Sequence, residues 1–248
     1  MPAPPSPSRS LFWGLLTVGT SIVLASAIGA VAARDIKRAN DVVTVTGSAR
    51  RSIRSDFAIW RGSVGSQQPT LSDAYQEVTR YATRVRAYLK QQGIPDSAVT
   101  FRPLETYGIP EISPSGRETG RTVGYRLSQS FEVRFTDVDQ ATRLSQQAAS
   151  LVNEGVPFTS SPPEYLYTRL ADLRIGMLGD ATKDARARAA AIAGSMGSEV
   201  GSVRSATVGV FQITPRYSTE VSDYGINDVS SVEKDVTAVV RVTFAIEE

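Results

Sequence analysis

Apolar and polar residues alternate along DVVTVTGSARR (Asp41–Arg51) and again along SDFAIWRGSVGSQ (Ser55–Gln67). A two-residue period puts successive side chains on opposite faces, so each run is read as a strand. The short turn between them predicts that the two strands pair antiparallel. The period then lengthens. Leu71, Ala74, Val78, Tyr81, Ala82, Val85, Tyr88 and Leu89 recur at spacings of three and four, which predicts an amphipathic helix within 69–95. Thr70 is placed to cap its first turn, with Asp73 answering three residues on. Gly93 and then Pro95 end it.

The alternating period returns over Ser97–Ile109 and Val123–Phe135, a predicted strand pair with EISPSGRETG (Glu111–Gly120) as its hairpin tip. A second helix starts at the cap Asp137, with Gln140 at its third position. Its stripe is Val138, Ala141, Leu144, Ala148 and Leu151, and Gly155 follows. VPFTSSPPEYLY (Val156–Tyr167) is read as a strand whose Pro162-Pro163 pair marks an edge or bulge. A third helix covers about 169–196 with Thr168 as cap. Its stripe is Leu170, Leu173, Met177, Ala181, Ala185, Ala189, Ile192 and Met196, and its small members predict close approach to a neighbour. Two final strands, Ala206–Thr214 and Val236–Ile246, flank a long polar stretch, RYSTEVSDYGINDVSS (Arg216–Ser231). The pattern predicts an α+β fold over 41–248, with a largely antiparallel sheet and helices packed on one face. Two β-β-α units, 41–93 and 97–153, suggest a weak duplication.

The 216–231 stretch is too long for an ordinary hairpin loop. It carries two tyrosines and several carboxylates. Asp223, Asn227 and Asp228 lack the spacing of a calcium loop, so no metal ligand is assigned. Gly225 is placed to supply a positive φ, and Asp223 and Asn227 to close side-chain turns. Tyr217, Asp223, Tyr224, Ile226 and Asn227 are the candidate interface residues, packing on the domain's own sheet or on a neighbouring subunit.

Composition narrows the chemistry. The chain has neither Cys nor His. Thiol nucleophiles, disulfides, Ser-His-Asp triads and the usual zinc sites are therefore excluded. The net charge of +2, from 27 basic and 25 acidic residues, makes no case for nucleic acid. Hydrophobic residues at 41% leave ample material for a core. Carboxylates remain as an alternative catalytic apparatus, from Glu105, Glu111, Glu118, Glu132, Asp223 and Asp228, with Glu132 read as lying on a solvated sheet face. No catalytic or cofactor-binding residue and no cofactor is assigned. The expectation is a non-enzymatic protein, with a carboxylate hydrolase or lyase, or a periplasmic binder of a small ligand or metal, as alternatives.

Residues 1–10 are rich in Pro and Ser and are read as a disordered tail. From Leu11 to Ala33 there is no charged residue, roughly 35 Å of helix at 1.5 Å per residue, enough to span a bilayer. Residues 11–33 are accordingly read as a retained single-pass signal anchor, 34–40 as a linker, and 41–248 as one domain facing the periplasm or exterior. Cleavage after Ala32 or Ala33, releasing the domain to the periplasm, is the alternative.

Taken in order, VTVTGSAR, the helix ending in GIP, VGYRLSQSFEVRF before a D-V-D helix start, and DATKDARARAAAIAGSMGSEVG before a strand resemble the SIMPL domain family. The resemblance covers about 41–248. It implies an α+β fold and an exported or envelope-associated protein, and since some relatives assemble into large ring- or channel-like oligomers, a homo-oligomer is expected. Some relatives are linked to oxidative-stress tolerance. It offers no catalytic residues.

Overall fold

The computed structural model describes residues 13–14, 16–26 and 41–247. Residues 13–14 and 16–26 are helical, the longer stretch being α1. The tail 1–10, the linker 34–40 and both ends of the apolar segment 11–33 lie outside the described residues. Among the described residues, no helix is long and apolar enough to cross a membrane.

After α1 the elements are β1 (Val42–Arg54), β2 (Phe57–Gln68), α2 (Leu71–Gln91), β3 (Val99–Phe101), β4 (Glu105–Ile112), β5 (Glu118–Phe135), α3 (Val138–Gln147) and α4 (Ser150–Asn153). They continue with β6 (Phe158–Ser160), β7 (Glu164–Leu166), α5 (Leu170–Ser195), β8 (Glu199–Val208), β9 (Gln212–Pro215), β10 (Ile226–Asn227) and β11 (Glu233–Glu247). The fold is α+β. Its described residues form two compact units, those of Arg50–Met177 with Val210–Ala238, and those of Met1–Ala49 with Leu178–Gly209 and Val239–Glu248.

The larger unit holds a six-stranded sheet in the order β3-β5-β2-β6, with β4 added on β5 and β7 on β2. Its β2–β5, β2–β6, β2–β7, β3–β5 and β4–β5 pairs are antiparallel. The alternation along β2 buries Ala58, Trp60, Gly62, Val64 and Ser66 and leaves the intervening residues partly exposed. Trp60 meets the edge of Phe131 at 5.6 Å and donates from Nε1 to Ser160 Oγ at 2.9 Å. A Cβ at Gly62 would collide with the rings of Phe131 and Phe158, so only glycine admits this aromatic packing.

Against that sheet α2 buries Ala74, Val78, Tyr81, Ala82, Val85 and Leu89, nearly the predicted stripe, while Leu71 stays exposed. Its cap is as expected: Thr70 Oγ1 accepts from Asp73 N at 3.1 Å and donates to Asp73 Oδ2 at 2.7 Å. The Asp137 carboxylate likewise caps α3, accepting from Asp139 N and Gln140 N. The predicted second helix is two pieces, α3 and α4, and the predicted strand over 156–167 is β6 and β7, parted at 161–163 around the proline pair. The strand predicted over 97–109 divides into β3 and β4.

In the smaller unit α5 presents Ala181, Ala185, Ala189 and Ala193, all fully buried. Alanine at every fourth position gives the helix a smooth face, and a Cβ at Gly47 of β1 would overlap the backbone of Ala181 and Ala185. The predicted close approach is therefore between α5 and β1. The stripe turns along Ala193, not along the predicted Ile192 and Met196, which are exposed. Ser48 N donates to Asp184 Oδ2 at 2.8 Å beside this contact. Here β11 pairs antiparallel with β8, from Val240↔Val208 to Glu247↔Glu199.

Two topological expectations are corrected. The strands β1 and β2 do not pair: β1 neighbours β11, and β2 neighbours β5. The backbone of the turn between them is used elsewhere, Ser55 N on Val232 O and Asp56 N on Leu166 O. The proposed β-β-α duplication therefore has no matching pair of hairpins, because only β4–β5 is one. The run 206–214 is also not one strand; it breaks at 209–211 between β8 and β9.

Candidate functional site

The 216–231 excursion belongs to the larger unit and leaves from β9. It returns into β11, whose first residues differ from the apolar run that follows. Lys234 and Asp235 are adjacent, so they point to opposite faces of the strand. Both are buried, at 2% and 3% exposure. A buried charge is tolerated only when hydrogen bonds replace its water, and here the excursion supplies or completes them.

Asp235 accepts from Ser52 Oγ at 2.6 Å, Arg50 Nη2 at 2.6 Å and Tyr217 N at 3.1 Å. The Ser52 hydroxyl, with Tyr217 N and the Arg50 guanidinium, holds the Asp235 carboxyl below the usual carboxylate range against the opposing effect of burial. The bond to Tyr217 fixes an unusual backbone. Tyr217 has φ 66°, the left-handed region that non-glycine residues avoid, and among the described residues no other non-glycine does this. On the other face Lys234 Nζ donates to Tyr165 O at 2.7 Å and to Asp228 O. Burial pushes the Lys234 amine below its ordinary value, and the neighbouring Asp228 charge partly offsets this.

More bonds hold the excursion from below. Gln212 Nε2 donates to Ser222 O at 2.6 Å, Asp228 N to Ile213 O at 2.9 Å, and Tyr165 N to Val229 O at 2.7 Å. Ile226 and Asn227 form β10, which runs parallel to β9 through Ile226↔Gln212 and Asn227↔Ile213. Gly225 has φ 83° and lies so near Phe211 O that a side chain would clash, as its predicted positive φ requires. The side-chain turns are closed by residues other than those expected. Ser218 takes Glu220 N, Ser222 takes Tyr224 N, and Asp228 takes Ser230 N, whereas Asp223 and Asn227 were the expected closers.

The tip is built differently. Tyr217 is 78% exposed, Val221 82% and Tyr224 97%. Asp223 and Asn227 are exposed, and Ile226 is half-buried. Of the five candidate interface residues, only Ile226 packs substantially within its own unit.

The carboxylates considered for catalysis have separate partners. Glu105 takes Ser128 Oγ, Glu111 takes Thr119 Oγ1, and Asp228 takes Ser230 N and Oγ. Glu132 is not on a solvated face. It is 8% exposed and accepts from Arg61 Nε at 3.2 Å and Arg134 Nε at 2.9 Å. Burial raises its carboxyl, and the two guanidinium groups outweigh that and leave it below the ordinary value. Among the described residues no three acidic side chains gather as a metal site would require.

Lys234, Asp235 and Gln212 were not among the residues singled out in the sequence. The apolar pattern begins at Val236, and EKD before VTAVV reads as the solvated lead-in of an apolar strand. The available signal was the neighbourhood: a polar stretch with little to bury needs anchors from its flanking strands.

The comparison with curated proteins gives no match. The family model SIMPL, described as a protein of unknown function (DUF541), matches residues 43–244, most of the chain. The capped helices, the excursion and all of the strands but the first residue of β1 and the last residues of β11 lie within that match, and the chain belongs to the SIMPL family.

Proposed function

We infer that this SIMPL protein is a non-enzymatic envelope component that associates with copies of itself through the 216–231 excursion. The observation that carries the reading is the pairing of a rigidly tied base with an undressed aromatic tip. Tyr217 and Tyr224 bury little within their own unit. Tyrosine brings a large amphipathic surface and is enriched at protein contacts. An ordered loop also loses little conformational entropy on docking, so more of the contact energy appears as affinity.

The apolar segment 11–33 supports a tether in the cytoplasmic membrane, with the folded part outside. Tethering confines copies to one surface, which raises their effective concentration and lets a modest contact suffice. The test is sedimentation of the full chain in mild detergent, as wild type and as Tyr217→Ala with Tyr224→Ala. The expected result is an oligomer that the double variant dissociates. A wild-type monomer at every concentration would end the proposal.

A further inference from the structure

Part-way along β2 one of its neighbours stops. On one side β2 stays paired with β5 from Ala58↔Phe135 to Gln68↔Tyr125. On the other side β6 ends at Val64↔Phe158. The residue that would come next is Pro157, which has no N–H to give. The chain turns inward there, Val156 N bonding Leu151 O at 3.0 Å. Gly65 to Gln68, about 13 Å of strand at roughly 3.3 Å per residue, is therefore an open edge. The direction of its backbone is fixed. Ser161 N donates to Arg61 O at 3.0 Å, so the N–H and C=O of Arg61 face the β6 side. Directions repeat every second residue, so those of Gly65 and Gln67 face the same side, beyond the end of β6.

A cavity of about 690 Å³ lies over this edge. The consecutive β2 residues from Ser63 to Gln67 all line it, whereas a cavity over either face of the strand would meet alternate ones. Its size suits a segment of a few residues. Inward, Val64, Leu127, Val152 and Phe158 make an apolar cleft that ends at Glu77. Glu77 takes Ser66 Oγ and Gln68 Nε2, both at 2.6 Å, which makes that end polar. Outward, Gly65 has no side chain to keep another backbone away. Beside it Arg126 Nη2 donates to Gln67 Oε1 at 3.1 Å, which leans the guanidinium over the edge. We propose that this edge takes an extended peptide of a partner protein as an added strand, one with an apolar side chain for the inward cleft and, next to it, a carboxylate for Arg126. The peptide backbone exchanges N–H···O=C bonds with Gly65 and Gln67. Consecutive side chains then point to opposite faces, as the cleft and Arg126 require. The contact uses no residue of the 216–231 excursion.

The probe is the peptide acetyl-Thr-Thr-Glu-Ile-Thr-amide. Run antiparallel to β2, it sets its Glu opposite Gln67 and its Ile opposite Ser66. Calorimetry with the full chain in mild detergent should show saturable binding, and amide exchange at Gly65 and Gln67 should slow with it. N-methylation of the peptide's Glu nitrogen, which faces β2, should weaken binding at least about tenfold. N-methylation of its Ile nitrogen, which faces away, should leave binding unchanged. Val152 and Arg126 are exposed, so their variants keep the fold. Val152→Asp should abolish binding. Arg126→Ala should weaken it about threefold, and should have no effect once Gln replaces Glu in the peptide. Absence of binding at millimolar peptide would overturn the proposal. Equal losses from the two N-methylations would overturn it too, since the site would then be a pocket for side chains and not an edge for a strand. So would protection of Gly65 and Gln67 that needs no peptide and vanishes on dilution, because a second copy would then fill the edge.

Discussion

Beneath the 216–231 excursion, Lys234, Asp235 and Gln212 spend hydrogen bonds on its backbone; at its tip, Tyr217, Val221 and Tyr224 face solvent. Two tyrosines make the contrast sharp. Tyr165, under the excursion, is 6% exposed and shares its hydroxyl with Thr142, while Tyr224 is 97% exposed. Loops usually gain order by burying their own large side chains. This one gains it from buried polar anchors reaching up out of β9 and β11, so its aromatic surface is left for something else. Order and contact area come from different groups, with Tyr217 giving its backbone N–H to the base and its ring to the tip, and the two should separate under mutation of side chains.

Breaking the base should have the largest effect. Asp235→Ala removes the acceptor shared by the Ser52 hydroxyl, the Arg50 guanidinium and Tyr217 N, and with it the tie that holds the start of the excursion to β11. The expected loss is about 2–4 kcal/mol, read by urea unfolding, with fast amide exchange over 216–231. Lys234→Ala leaves the Tyr165 and Asp228 carbonyls without a donor and should cost about 2–3 kcal/mol by the same measurement.

Acid should weaken the base at Asp235 and, apart from it, the Glu132 cluster with Arg61 and Arg134 on the larger sheet. Asp235 and Glu132 have folded-state carboxyls below their unfolded values. Around pH 4 the unfolded chain then binds more protons than the folded one, so stability is full above the ordinary carboxylate range. It is lost as pH falls through the lowered values. Lys234, also lowered, gives the opposite flank: stability should rise as pH climbs from its folded value toward the unfolded one near 10.5. Thermal melts from pH 3 to pH 10 check both slopes; a flat acid limb would mean these carboxylates are not held as described.

The tip variants should be smaller in stability and larger in assembly. Tyr217→Gly relieves a left-handed tyrosine and should leave stability unchanged or raised by about 1 kcal/mol, while weakening self-association. Tyr224→Ala should change stability by less than about 0.5 kcal/mol, since almost none of that side chain is buried.

Much of the fold was legible where local chemistry decides it. The helix α2 was readable because capping, stripe and glycine stop all agree within one stretch, and α3 because Asp137 announces its start. Strand partners were not, because alternation says which face is buried and nothing about the neighbour. The turn at Ser55 and Asp56 looks like a hairpin, yet its backbone serves Val232 and Leu166. On α5 the larger residues Ile192 and Met196 drew the predicted stripe off course, whereas the buried row continues through Ala193. For the site, the excursion and its aromatics were legible as a candidate contact surface. Its anchors were not, since a Lys-Asp pair has the same appearance whether solvated or buried, and only the pairing of β9 with β11 places it inside.

The central claim is that the tied base exists to present the tip to another copy. The most direct measurement is the sedimentation of full-length Tyr224→Ala beside wild type in the same detergent, with urea unfolding of both. The account predicts equal stability and an association at least about tenfold weaker, a difference of about 1.4 kcal/mol. Equal association would contradict it, and so would a loss of stability that accounts for the loss of assembly.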